Sequence, residues 1–351
     1  MNKKIKIPFM LLLLLGLVLI FSGCGTNSEG NQPSSSEASQ PTNPEYPTEN
    51  ISWYVGSQPG GGFDTYARGV SRAMQKYIPN GDKIQILVEN MPGAAHRRAL
   101  EFVYNSEPDG TKLLNPNIPG NVIVQMTEKV NYDLAKVKWI GAFAVDKYVM
   151  CVSKNSKFKT IEDLQNADAS KPVRFGSQGY GSTDYLLLIA AGQDMKIPNT
   201  IVTGFEGSSE VIMAMLRNEI DLLIYPITSI LDYIKSGDLI PLMVLDSEKN
   251  ELLPDVSTSA ELGYPDLTTV AGLYRMIGVA PDTPQYMVDT LREALEKTMQ
   301  DEELIQWSKD TDHPLTYISG EECAESIEKL QTAWAKYIDA IQKSTGGATM
   351  Q

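Results

Sequence analysis

The sequence predicts an α/β chain of two lobes, each a sheet flanked by helices. Three observations lead there. Its 351 residues exceed the ~250–300 at which one hydrophobic core stops growing. At 42% hydrophobic and 8% aromatic residues, the composition is that of a globular chain, neither disordered nor a multi-span membrane protein. From Ile51 onward, short β-branched and aromatic runs alternate with stretches of helical periodicity.

The first set opens with the strand Ile51-Ser52-Trp53-Tyr54-Val55, followed by a Gly-rich turn and a helix near Asp64 to Tyr77. A strand over Lys83 to Val88, a helix around Arg97 to Asn105 and a short strand at Lys112-Leu113-Leu114 come next. This βαβ rhythm predicts a parallel sheet covered by helices. A second set begins near Lys147 with the strand Tyr148 to Val152. Thr160 to Asp163 has the pattern of a capping box opening a helix. The strand Val173-Arg174-Phe175-Gly176 runs into a second Gly-rich turn and a helix from about Ser182 to Asp194. Helices over Glu210 to Arg217 and Ser229 to Lys235, with strands Leu222 to Tyr225 and Leu242 to Val244, complete it. After a strand over Tyr274 to Val279, long helices span Pro284 to Met299 and Ser319 to Lys343. In the last, Cys323, Ile327, Leu330, Trp334, Ile338 and Ile341 form one apolar stripe, behind a Ser319/Glu322 capping box.

The first fifty residues read as an address. Lys3, Lys4 and Lys6 precede an apolar run from Phe9 to Phe21, too short for a ~20-residue span. Phe21-Ser22-Gly23-Cys24 resembles a bacterial lipobox, with Phe21 where Leu is usual, so residues 1–23 are expected to be a lipoprotein signal peptide and Cys24 the lipidated residue. An uncleaved anchor, or an ordinary signal peptide with an incidental Cys, is the alternative. Residues 24–50, dominated by Ser, Thr, Asn, Gln, Pro and Glu and without apolar periodicity, are expected to be a flexible tether. The chain would then sit outside the cytoplasmic membrane, held to it by lipid. Cys151 and Cys323 lie in apolar periodic stretches and read as small buried hydrophobes, not a disulfide.

Charge narrows the function. With 44 Asp and Glu against 30 Lys and Arg, the net charge is −14; loss of residues 1–23 removes three lysines and no acid, giving −17. Nucleic-acid binding needs clustered basic residues and is excluded. Two histidines and no zinc-like Cys spacing leave no metal site or cofactor to expect. An acidic chain that binds an anion must do so with local dipoles. The two Gly-rich turns offer these: Gln58-Pro59-Gly60-Gly61-Gly62-Phe63-Asp64 and Gly176-Ser177-Gln178-Gly179-Tyr180-Gly181-Ser182-Thr183. Glycine lets backbone N–H groups approach a ligand, and the helix behind each turn adds unpaired donors and a positive end. Ser177, Ser182 and Thr183 add hydroxyl donors without charge. Either turn alone would suit a plain tight connection; one in each set points to a shared cleft. Nucleotide fingerprints are absent, since Asp184 follows where G-x-G-x-x-G needs small residues, and no P-loop pattern exists. There is no G-x-S-x-G elbow and no H-E-x-x-H, so catalysis is not expected. His313 reads as a solvated loop residue, and His96, beside Arg97 and Arg98, leaves a site role open.

In order along the chain, these segments resemble the receptors of tripartite tricarboxylate transporters, the Bug receptors. Gly60-Gly61-Gly62-Phe63-Asp64 is similar to the family's Gly-Gly…Asp turn, and Val88 to Ala94 to its "VEN-x-PGAGG". Pro108 to Leu114 resembles "PDGYTLL", Gly176 to Ser182 "GS-x-G-x-G-[ST]", and Phe205-Glu206-Gly207 "YKG". Asp221-Leu222 with Ile234 to Gly237, Leu253 to Thr258, and Val279 to Pro284 complete the series. Departures fall at Ala95-His96-Arg97, Tyr225-Pro226 and Tyr274-Arg275-Met276. The resemblance implies a two-lobed periplasmic-binding-protein fold of type II, with residues 51–146 plus 275–351 as lobe 1 and 147–274 as lobe 2. It implies a small di- or tricarboxylate held in the cleft by both turns, with Phe205, Tyr225 and Arg275 beside them, and delivery to membrane permease subunits. A monomer is expected. A Bug-like sensor for a membrane signalling partner and, more remotely, a lipoprotein hydrolase are the other readings. Arg97, Arg98 and Arg275 are candidates to pair a second carboxylate, or else ordinary surface ion pairs.

Overall fold

The computed structural model describes residues 45–344; the expected signal peptide and Cys24 lie outside them. The segment read as tether is already anchored at its end. Tyr46 is buried, its hydroxyl donating to the Gly110 carbonyl at 2.8 Å and its ring edge-on to Tyr286.

Strand β1 (Ile51–Val55) leads into helix α1 (Gly62–Met74), then β2 (Ile86–Asn90), a 3₁₀ turn at Ala94–His96, α2 (Arg97–Tyr104), β3 (Lys112–Asn115) and α3 (Gly120–Thr127). A nine-residue strand, β4 (Lys138–Asp146), continues through Lys147 alone into β5 (Tyr148–Ser153). There follow α4 (Ile161–Gln165), β6 (Val173–Gly176), α5 (Thr183–Asp194), β7 (Asn199–Val202), α6 (Ser208–Leu216), β8 (Leu223–Pro226), α7 (Ile227–Lys235), β9 (Leu239–Val244) and α8 (Pro265–Val270). The chain closes with β10 (Leu273–Val279), α9 (Gln285–Thr298), α10 (Glu302–Asp310), β11 (Ile318–Ser319), α11 (Gly320–Trp334), a 3₁₀ turn and α12 (Ile338–Ser344).

The larger sheet has the order β11-β4-β10-β3-β1-β2, and smaller sheets have the orders β8-β5-β9 and β6-β7. The sheets are not uniformly parallel, as the βαβ rhythm predicts. β1 pairs parallel with β2 and β3, and β6 with β7, but β10 runs antiparallel to β3 and β4. β5 is antiparallel to both β8 and β9. In the larger sheet β4 keeps the direction of β1, β2 and β3, and β10 and β11 are the reversed strands. β4 and β5 form one nearly continuous run from the larger sheet into the smaller, and β10 returns alongside β4 in the opposite sense. β4 went unread because its run, Lys138 to Asp146, is almost wholly buried and shows no period-2 alternation.

The core follows the predicted faces. Ile51, Trp53 and Val55 are buried on one face of β1, and Tyr66, Ala67, Val70 and Met74 on the inner stripe of α1. The C-terminal stripe is buried at Cys323, Ile327, Leu330, Trp334 and Ile341, with Ile338 packed against the core. The expected single helix breaks after Trp334 into a 3₁₀ turn, which brings Tyr337 into the core. Both predicted capping boxes form, Thr160 with Asp163 and Ser319 with Glu322. Cys151 and Cys323 are free and buried. Among the described residues no helix is long and apolar enough to cross a membrane, and no group of His, Cys, Asp and Glu could hold a metal ion.

Candidate functional site

The carboxyl ends of β1, β2, β6, β7 and β8 open onto one cavity of about 640 Å³, the position expected of ligands in open α/β sheets. Both Gly-rich turns reach it. Gln58, Gly60, Gly61, Gly62 and Phe63 line one side; Gln178, Gly179, Tyr180, Ser182 and Thr183 line another. Phe205, Tyr225 and Arg275 line it as well. Asp64, Ser177 and Gly181 do not; they stand behind the wall and shape it.

Each turn is closed by the first acid of the helix behind it. Asp64 accepts from the Gly60 N–H at 2.9 Å, from Asn90 at 2.9 Å and from Arg68 at 3.0 Å. Burial raises the affinity of this carboxyl for a proton, but those hydrogen bonds outweigh it and hold it below the usual range. Asp184 accepts from the Gln178 N–H at 3.0 Å and has no cation beside it. Burial dominates there and pushes its carboxyl up, against hydrogen bonds from Ser182 and Gln178. Ser177 receives the Gly179 N–H at 3.1 Å, and Ser182 caps α5 by accepting from the Tyr185 N–H. Gly179 and Gly181 adopt φ of 127° and 88°, which side chains other than glycine's resist.

Asn117, which the sequence reading passed over, fixes the second turn to the larger sheet. Its Nδ2 donates to the Gly181 carbonyl at 3.2 Å, and its Oδ1 accepts from the Thr183 hydroxyl at 2.8 Å. A lone Asn in a Pro-Asn-Ile-Pro stretch carries no local signal for such a long-range role.

The cavity gathers more helix starts than the two predicted. Gly62 and Phe63 begin α1, Thr183 and Asp184 begin α5, Ser208 and Ser209 begin α6, and Pro226 and Ser229 mark the start of α7; all line it. N–H groups in a first helical turn have no intrahelical acceptor, and each helix start carries a partial positive charge. Ser-Ser after Glu206-Gly207, and a helix directly behind a strand ending in Pro226, were the unread signals.

Arg275 enters as a buried cation, 1% exposed, not as a free arm. It forms an ion pair with Asp146, and its guanidinium lies 4.6 Å from the Phe63 ring centre and 4.3 Å from that of Tyr66. Two of its nitrogens, Nε and Nη1, have no hydrogen-bond partner. It stands directly behind Gly62, its charge balanced by Asp146. Arg97 pairs with Glu128 at 2.8 Å and Arg98 is exposed, so neither joins the cavity wall. His96 does. His313, read as solvated, instead packs its ring 4.8 Å from Tyr66 and 5.4 Å from Trp307.

The family model described as "Tripartite tricarboxylate transporter family receptor" matches residues 67–342. The chain belongs to this receptor family. It is similar to the UPF0065 protein of the TAR-I ttuE-ttuC' intergenic region of Agrobacterium vitis, 27% identical over 269 residues that cover 74% of each chain. Among solved structures, R. palustris Rpa4515 with adipate matches with a TM-score of 0.74 at 20% identity, over 86% of this chain and 99% of that one. MatC from Rhodopseudomonas palustris with bound malate matches with a TM-score of 0.70 at 19% identity, over 84% and 100%. The fold is thus that of the periplasmic binding proteins, and the family is one of solute-binding receptors.

Proposed function

We propose that this receptor is extracytoplasmic, held to the membrane by lipid on Cys24, and captures a small di- or tricarboxylate for the permease subunits of a tripartite transporter. The observation that carries the reading is the convergence of four helix starts on one cavity that no lysine lines. Such a wall offers several hydrogen-bond donors to an anion without a mobile cation. A Kd near 1 μM corresponds to about −8 kcal/mol. Charge-assisted bonds contribute roughly 1.5–3 kcal/mol each, so four to six suffice after the cost of association. The two neighbours with malate and adipate support a carboxylate ligand.

In this reading residues 51–146 plus 275–351 form one lobe and 147–274 the other. They close on the ligand as a monomer, each lobe supplying one Gly-rich turn. A thermal-shift screen of the full-length protein against mono-, di- and tricarboxylates tests it. Stabilisation by at least one dicarboxylate or tricarboxylate is expected; no stabilisation by any carboxylate would sink the reading.

A further inference from the structure

The loop after β2 departs most from the family pattern, and there the backbone is held in an unfavourable form. Following Gly93 at φ 138°, the residues Ala94, Ala95 and His96 take φ of 46°, 51° and 74°. Three successive side-chain-bearing residues in the left-handed region are strained, and strain retained beside a cavity marks a position with a purpose. The result is to drive the His96 imidazole into the cavity wall. Gly56, the residue after β1, abuts the base of His96: a Cβ there would come within 2.4 Å of the His96 Cα and 2.7 Å of its Cγ, so a side chain at Gly56 would displace His96. On its other side the ring packs against Phe63, centre to centre 4.2 Å at 57°.

We propose that His96 is a specificity-determining residue, its imidazole forming an end wall that limits the length of acid the cavity accepts. The inference rests on the carboxylate-receptor reading above. The ring is suited to be a wall rather than an anion ligand. Burial and the nearby Arg275 charge push the imidazole down to about 3, which keeps it uncharged near neutral pH. Its Nδ1 is buried without a hydrogen-bond partner. Together with Phe63 it makes an uncharged corner of two tilted rings against which methylene groups rest. Truncating it would extend the cavity into the volume the ring fills beside Phe63.

The experiment is calorimetric titration of full-length wild type, His96→Gly, His96→Asn and His96→Phe with the α,ω-dicarboxylates from malonate to suberate. Glycine and asparagine both tolerate a left-handed backbone, so either variant reads the effect if the other fails to fold. The tightest-bound acid is expected to lengthen by at least one methylene in the Gly and Asn variants, with the Kd ratio of longer to shorter acid changing tenfold or more. The Phe variant, which refills the wall, keeps or shortens the preferred length. A folded Gly or Asn variant whose length profile superimposes on wild type would overturn the proposal. So would one that loses all acids equally, because the imidazole would then be holding the ligand itself. If wild type binds no member of the series but is stabilised by another carboxylate, this proposal falls and the carboxylate reading stands; if no carboxylate stabilises it, both fall.

Discussion

A Cβ built on Gly62 would lie 2.9 Å from Nη2 of Arg275 and 3.5 Å from Oγ of Ser229. Arg275 has nowhere to retreat, because Asp146, Phe63 and Tyr66 enclose its guanidinium. Gly62→Ala is therefore expected to cost about 1–3 kcal/mol in overpacking and to weaken carboxylate binding about tenfold or more, as titration of the variant would show. Gly61 differs, since a Cβ there meets nothing closer than the Gln58 carbonyl at 3.4 Å. The same scale holds a pH prediction. The His96 imidazole titrates near 6.5 when exposed and is held down to about 3 by burial and Arg275. Between those values the unfolded chain binds the proton and the folded chain does not, so stability falls as pH drops below 6.5. At pH 5 the loss from this group is about 2 kcal/mol. Thermal melts at pH 7.5 and 5 should show a smaller acid-induced drop in His96→Asn than in wild type; an equal drop would refute the assignment.

At the scale of elements, what was legible was what is local. The capping boxes at Thr160 and Ser319, the α11 stripe and the strand-turn-helix units at both Gly-rich turns declare themselves in consecutive residues. Strand β4 did not, because a run buried on both faces carries no alternation, and a helix start such as Ser208 becomes part of a site only through long-range packing. Asn117 shows the cost of that gap. It joins the loop before α3 to the second Gly-rich turn through two buried hydrogen bonds. Asn117→Ala leaves the Gly181 carbonyl and Thr183 hydroxyl without partners, an expected loss of about 2–4 kcal/mol. Urea unfolding would measure it, and carboxylate affinity should fall in parallel, because the turn that loses its tie carries donors facing the cavity.

For the whole molecule, the opposing facts are a net charge of −14 and a cavity suited to anions. They coexist because lysines are spent on the exterior, pairing acids as Lys235 does with Asp312 at 2.6 Å and Lys76 with Glu303 at 2.7 Å. Pairs this exposed are screened by solvent and add little to stability. The cavity draws its potential from the backbone dipoles of the helix starts, while its one buried arginine is balanced by Asp146. A chemical consequence follows for the tools used on binding proteins. Exhaustive acetylation of lysine amines disarms a receptor that grips its anion with ammonium groups. Here, acetylated protein that remains folded by circular dichroism is expected to keep its carboxylate affinity within about threefold, roughly 0.7 kcal/mol, whereas phenylglyoxal has only the sheltered Arg275 to find in the cavity wall.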